Sequence, residues 1–193
     1  MDHVSRSCDT PAPSPDDAAL VRRAAQEASA FAELYRRHTD RVYRYLLART
    51  GNRQDAQELT ADTFLTAYQD LARFRGEGTF AAWLLGIARH HASRLFRRRR
   101  ETFDLDALGE LWLGEVGLDE RVAKQLQMEQ VIAALRRLSP ERAEALRLRV
   151  LAELPAAEVG RIMGKSETAV RMLVYRALRD LRRQLAHMRE GAS

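Results

Sequence analysis

Apolar side chains return every three or four positions along most of this chain, the spacing of one helix face, and no run of alternating β-branched residues reaches strand length. From Phe31 the row Leu34, Tyr35, His38, Val42, Tyr45 and Leu46 predicts a first long helix, which Gly51-Asn52 stops. Ala56, Leu59, Thr63, Phe64, Ala67, Tyr68 and Leu71 predict a second, broken by the loop from Phe74 through Gly78. Thr79 suits the N-cap of a third, whose inner row is Phe80, Trp83, Leu84, Ile87, His91 and Leu95 and which leaves through Arg97 to Arg100.

A second set follows. Leu126, Ile132, Leu135 and Leu138 share a face, and Ser139-Pro140-Glu141 supplies N-cap, N1 proline and a favourable charge for a helix expected to bury Leu146 and Val150. A short helix from Pro155 carries Val159, Ile162 and Met163, starts without a side-chain cap, and ends at Gly164, a residue suited to a left-handed position. Ser166 can cap a last helix with the inner row Val170, Leu173, Val174, Ala177, Leu178, Leu181 and Leu185. Short helix, glycine turn and longer basic helix make the helix-turn-helix pattern.

The expected fold is therefore all-α, two small helical domains joined by a linker. Residues 1–17, with Pro11, Pro13 and Pro15 and almost nothing apolar, are expected to be a disordered leader. Residues 18–100 form the first domain and 124–189 the second, with 190–193 a tail. Between them, residues 101–123 set seven acidic side chains against Arg121 alone, with three glycines, and read as an acidic linker.

Charge sharpens this picture through its distribution. The net +5 and pI of about 9.9 concentrate at the end: residues 161–189 hold eight Lys or Arg against Glu167 and Asp180, a local balance of +6. On the last helix, the face opposite the inner row presents Thr168, Arg171, Met172, Tyr175, Arg176 and Arg179. Lys165, Ser166 and Glu167 lie at its start. Arginine pairs bidentately with guanine edges or neutralises phosphate, and a helix N-terminus offers free N–H groups to a phosphate. Base readout is assigned to Arg171 and phosphate or mixed contact to Arg176.

The first domain carries a second nucleic-acid pattern. Phe74 and Trp83 flank the glycine loop beside Arg75, Arg89, His90, Arg94, Arg97 and Arg98, and aromatic rings beside cations suit unstacked single-stranded bases. Phe80 reads as core; Trp83 fits core and base stacking about equally. His38, His90 and His91 form no ligand sphere, because adjacent helical residues point about 100° apart. No nucleophile with a base, carboxylate pair or phosphate-cradling loop is apparent, so no catalytic residue, cofactor or metal is assigned. Cys8 alone builds neither a disulfide framework nor a cysteine metal cluster. No apolar stretch approaches the ~20 residues of a membrane span, and the N-terminus lacks a signal-peptide pattern, so membrane insertion is not expected and a cytoplasmic location fits.

Four blocks in order, Phe31–His38 with Arg41–Leu46, Asp55–Leu65, Phe80–Arg89, and Val159–Gly164 with Ala169–Arg171, resemble the extracytoplasmic-function class of bacterial sigma factors. The resemblance covers 31–100 and 126–186. It implies a sigma-2-like domain, an acidic linker threading polymerase channels, and a sigma-4-like helix-turn-helix domain. It further implies that Asp55, Glu58, Leu59, Asp62 and Phe64 dock on core RNA polymerase. The loop at Phe74–Thr79, with Trp83, Arg89, His90 and Arg94, would hold the melted −10 element of promoter DNA, and the last helix would read the −35 element. An anti-sigma factor is a further partner the class admits. Ala61 stands where members usually carry glutamine, and His90 where they carry asparagine. Two rivals remain: a stand-alone helix-turn-helix regulator with an N-terminal ligand or dimerisation domain, and a helical enzyme or interaction protein whose basic helices are surface only.

Overall fold

The computed structural model describes residues 15–101, 134–135 and 137–190. Seven α-helices lie among them: α1 (Pro15–Ala24), α2 (Ala28–Thr50), α3 (Arg53–Gln69), α4 (Phe80–Glu101), α5 (Pro140–Leu146), α6 (Ala156–Met163) and α7 (Glu167–Glu190). No strand occurs among the described residues.

The helix boundaries follow local chemistry. Gly51 closes α2 in the left-handed region (φ 68°), its N–H donating to the Leu47 carbonyl. The Asn52 side chain then accepts from the Asp55 N–H at 3.0 Å and opens α3. Thr79 Oγ1 accepts from the Ala82 N–H at 3.2 Å, as expected of the cap of α4. Gly164 ends α6 with φ 66°, and Ser166 Oγ accepts from the Ala169 N–H at 3.2 Å to open α7. Pro155 precedes α6 with no side-chain cap.

In the first domain α2, α3 and α4 bury the rows read from sequence. Leu34, Val42, Tyr45 and Leu46 of α2 meet Ala56, Leu59, Phe64 and Ala67 of α3 and Phe80, Leu84, Leu85 and Ala88 of α4. Each fully buried Leu contributes about 1.5 to 3 kcal/mol relative to exposure. Tyr35 and Tyr68, placed in inner rows, lie instead at the rim, 43% and 51% exposed, and pack edgewise or tilted on Phe64 and Phe31.

Helix α1 was not anticipated, and the expected leader overlaps it by three residues. It is retained because Leu20 and Ala24 are buried on the bundle and Asp17 bonds His38 Nε2 at 2.8 Å. The remainder of the leader, the acidic linker, most of the helix expected around Leu126 and Ile132, and the tail beyond Glu190 lie outside the described residues.

The second domain departs from expectation at one turn. Residues Arg147–Leu151 wind as a π-helix, which inserts an extra residue per turn and rotates the face. Leu148 is thereby fully buried and Val150, expected inside, is 48% exposed. In α7, Val170 and Ala177 are fully buried and Leu173, Val174 and Leu181 partly so, whereas Leu178 sits at the edge. Leu135, Leu138, Ala143 and Leu146 close a small core against Ala177. Leu148, Leu154, Val159 and Val170 belong to the same apolar cluster as the first domain, so the two domains share a seam.

Candidate nucleic-acid interface

Two basic surfaces are present, one on α7 and one on the first domain beside that seam. On α7, Ser166, Glu167, Thr168, Arg171, Met172, Tyr175, Arg176 and Arg179 are all exposed, Tyr175 the most of the large apolar residues at 62%. A tight turn aims this row outward. The Lys165 N–H donates to the Gly160 carbonyl at 2.9 Å, and a Cβ on Gly160 would stand 2.5 Å from the Lys165 carbonyl oxygen, so only glycine lets α6 and the turn approach this closely. Arg171 is held by Glu167 one turn back at 2.5 Å, and Lys165 by Glu141 at 2.8 Å. Both cations therefore exchange a local carboxylate for any other anion.

On the first domain, Phe74, Phe80 and Trp83 form an aromatic trio with ring centroids 5.4 to 5.7 Å apart. Phe80 is buried, as expected; Trp83 and Phe74 are half-buried at its edge. Arg75, His90, Arg94, Arg97 and Arg98 are exposed. Arg89 differs, since it turns into the seam and donates to the Ile162 carbonyl at 3.4 Å. Arg99, not singled out from sequence, forks onto Asp55 with two 2.7 Å bonds and ties the end of α4 to the start of α3.

That fork bears on the residues that the resemblance assigns to docking. Asp55, Leu59 and Phe64 are 7%, 7% and 4% exposed, so in this conformation they support α3 from within. Glu58, Ala61, Asp62, Leu65 and Tyr68 form the outward row at i, i+3, i+4 spacing, with Leu65 57% exposed. Leu65 and Tyr68 are the large apolar side chains of this row, and Tyr68 stood in the expected inner row because helical periodicity reads an apolar side chain as core whichever way it points.

The histidines act separately. Burial holds the His38 imidazole below its ordinary pKa although Asp17 pulls the other way. Burial lowers His91 too, and its Nε2 lies 3.0 Å from Thr66 Oγ1. Among the described residues no group of three or more His, Cys, Asp or Glu is placed to hold a metal ion, and no helix is long and apolar enough to cross a membrane.

Residues 34–102 match the family Sigma-70 region 2, and residues 128–181 match Sigma-70, region 4. The chain is similar to the ECF RNA polymerase sigma factor BldN of Streptomyces coelicolor, 39% identical over 170 residues, covering 86% of this chain and 64% of that protein's length. In fold it resembles CnrH in complex with the cytosolic domain of CnrY (TM-score 0.70, 22% identity, 89% of this chain and 97% of that one), CnrH being a sigma factor of Cupriavidus metallidurans. It likewise resembles the sigma factor RpoE in complex with the anti-sigma factor NepR from Bartonella quintana (TM-score 0.63, 21% identity, 81% and 96%).

Proposed function

The chain belongs to the extracytoplasmic-function class of the sigma-70 family, and from that premise we propose that it binds core RNA polymerase and directs initiation at promoters whose −10 and −35 elements its two domains read. The observation that carries this reading is the outward row of α7, eight exposed side chains behind a glycine-tight turn on the domain that matches region 4. A row of that length reaches several base edges and flanking phosphates in a major groove.

In this account Arg171 leaves Glu167 to contact a guanine, Arg176 and Arg179 meet phosphate, and Met172 and Tyr175 offer apolar contact to base methyl groups. The N-terminus of α7, with Lys165 and Ser166, takes a backbone phosphate. The melted −10 strand lies along Phe74, Arg75, Trp83, His90, Arg94, Arg97 and Arg98, with Arg89 joining when it is released from the seam. Core polymerase docks on Glu58, Asp62, Leu65 and Tyr68, while Asp55, Leu59 and Phe64 hold that row in shape. The chain contributes recognition, and the polymerase makes the bonds of RNA, so the chain works in the cytoplasm without a catalytic residue of its own. An anti-sigma factor is a further partner, in line with the complex of the similar RpoE.

Core polymerase, purified and mixed with the chain, tests this. The expected result is a stable complex that footprints promoter DNA, together with weak duplex binding by the free chain, since two small domains are not both positioned without the enzyme. Equally tight footprints from the free chain would instead make it a stand-alone regulator.

A further inference from the structure

A cavity of about 470 Å³ takes part of its lining from the end of α2 and from α4, and the rest from α5 and the residues around it, the π-turn and the turn into α7. Small-molecule sites commonly measure about 300 to 1,000 Å³. Its lining divides into two chemistries. Arg49, Arg89, Arg147 and Lys165 are accompanied by only two carboxylates, Glu141 and Glu144, an excess of two positive charges. Glu144, 5% exposed, answers three guanidinium groups at once: it pairs with Arg49, and it lies 3.3 Å from Arg89 Nε and 3.7 Å from Arg147 Nη1. It also accepts the Tyr45 hydroxyl at 2.7 Å. Lys165 pairs with the exposed Glu141 at 2.8 Å.

This sharing leaves donors over. Arg49 Nε and Arg89 Nε are both buried and have no hydrogen-bond partner, the Arg89 contact with Glu144 being close but not aligned as a hydrogen bond. Arg147 gives its Nε–H to the Ala48 carbonyl at 3.0 Å, and burial holds its pKa below the ordinary value although Glu144 pulls the other way. A buried guanidinium N–H without an acceptor is costly, and the oxygen of an anion supplies that acceptor. The remaining lining is apolar, from Phe96, Leu135, Leu138 and Met163. Phe96 is the one large apolar side chain of α4 that stays exposed. A bare inorganic ion would leave these side chains uncovered, and an uncharged apolar molecule would leave the guanidinium groups unanswered.

We propose that this cavity binds a small amphiphilic anion, a phosphate monoester on an aromatic or alicyclic body, with Arg49, Arg89 and Lys165 on the phosphate and Phe96, Leu138 and Met163 around the body. A phosphate monoester carries a charge of about −1.5 to −2 at neutral pH, which matches the excess in the lining. Its three oxygens give acceptors to the two orphaned Nε–H groups and to the Lys165 ammonium, which leaves Glu141, a carboxylate in solvent, at little cost. Arg147 stays fixed to the Ala48 carbonyl and adds charge rather than a contact. The body covers Phe96 and the leucine side chains, so head and body are recognised together.

Titration of the full-length chain with α-naphthyl phosphate, followed by proton–nitrogen correlation NMR, tests this. Saturable one-to-one shifts are expected at Phe96, Leu138 and Lys165. Inorganic phosphate and α-naphthol, titrated separately, should each bind at least about tenfold more weakly, because each meets only one part of the lining. Glu141→Gln, which frees Lys165 and removes a negative charge, should tighten α-naphthyl phosphate by about fivefold, and Lys165→Gln should weaken it by a similar factor. The same spectra report whether a variant is folded. Should either of these unfold, Phe96→Ala at an exposed position decides: it should weaken the ester and leave inorganic phosphate unchanged. Inorganic phosphate binding as tightly as the ester would reduce the cavity to a simple anion site and overturn the proposal. α-Naphthol binding as tightly would make it an apolar cleft and overturn it equally. Shifts confined to the outward row of α7, or an affinity that none of the folded variants changes, would place the ester elsewhere and have the same consequence.

Discussion

The outward row of α7 and the start of α4 with its preceding loop present the same chemistry, arginines beside aromatic rings, in opposite settings. On α7 the row stands in solvent, with Arg171 paired to Glu167 one turn back. Near the start of α4, Arg89 and Trp83 lie against the second domain, and Thr79 is held by Glu158 across a sequence separation of 79 residues. Under the proposed function the first surface meets duplex DNA as it stands, whereas part of the second lies against the other domain. On that reading, recognition of the −35 element carries a DNA and salt term, whereas engagement of the −10 strand also involves the contacts that Thr79 and Arg89 make with the second domain.

The strongest way to break this contrast is Gly160→Ala. The added Cβ meets backbone, not a flexible side chain, so the turn must shift, and the second domain should lose about 2 to 4 kcal/mol. Thermal unfolding followed by circular dichroism should show an early transition for the second domain, with the first domain melting later. A single transition at the wild-type temperature would mean that α6 and the turn are not tightly joined.

Arg171→Ala sharpens the contrast on the exposed side. It should cost about 1 to 3 kcal/mol and relax preference at one −35 position, while Arg176→Ala should weaken all sequences alike and flatten the salt slope by about one unit. Promoter-library selection with holoenzyme reads both. Identical preferences in the two variants would leave α7 a phosphate-only helix and move specificity to Glu167, Thr168, Met172 or Tyr175.

A smaller loss, about 1 kcal/mol, is expected from Ser166→Ala, which removes the cap at the Ala169 N–H. Urea unfolding checks it, and an unchanged midpoint would show that water caps α7 equally well.

Acidification should have the smallest effect, confined to the first domain. His38 is buried against Asp17, Arg37, Arg41 and Phe80, and burial holds its pKa below the ordinary value. The unfolded chain therefore takes up the proton first. The stability His38 contributes is complete above pH ~6.5 and is lost as pH falls below it. Melting temperature should fall between pH 7.5 and 5.5, and His38→Gln should flatten that dependence; a parallel fall in the variant would assign it elsewhere.

Much of the architecture was legible because it is written locally. Gly51, Thr79, Gly164 and Ser166 announce helix ends by chemistry that acts within four residues, and the row of α7 declares itself by charge on one side and apolar spacing on the other. What escaped was set by distant partners. Helix α1 is ordered by Leu20 and Asp17 finding α2 and α4, which no local signal in a proline-rich segment conveys. Val150 faced outward because the π-turn at Arg147–Leu151 rotates the row, and helical spacing carries no warning of an extra residue. Asp55, expected to dock on polymerase, gives both its oxygens to Arg99, 44 positions away, a pairing that no local signal conveys. Glu144, Glu153 and Glu158 carry no local signal, and only the meeting of the two domains gives them arginines and a helix start to hold.

The central claim, that this chain gives RNA polymerase its choice of promoter, is tested most directly by transcription in vitro from fragmented genomic DNA with purified core enzyme, mapping every start site with and without the chain. A set of starts that appears only when the chain is added, sharing upstream −35 and −10 elements and losing the −35 preference at one position with Arg171→Ala, is the predicted result. The same starts in both reactions would contradict it.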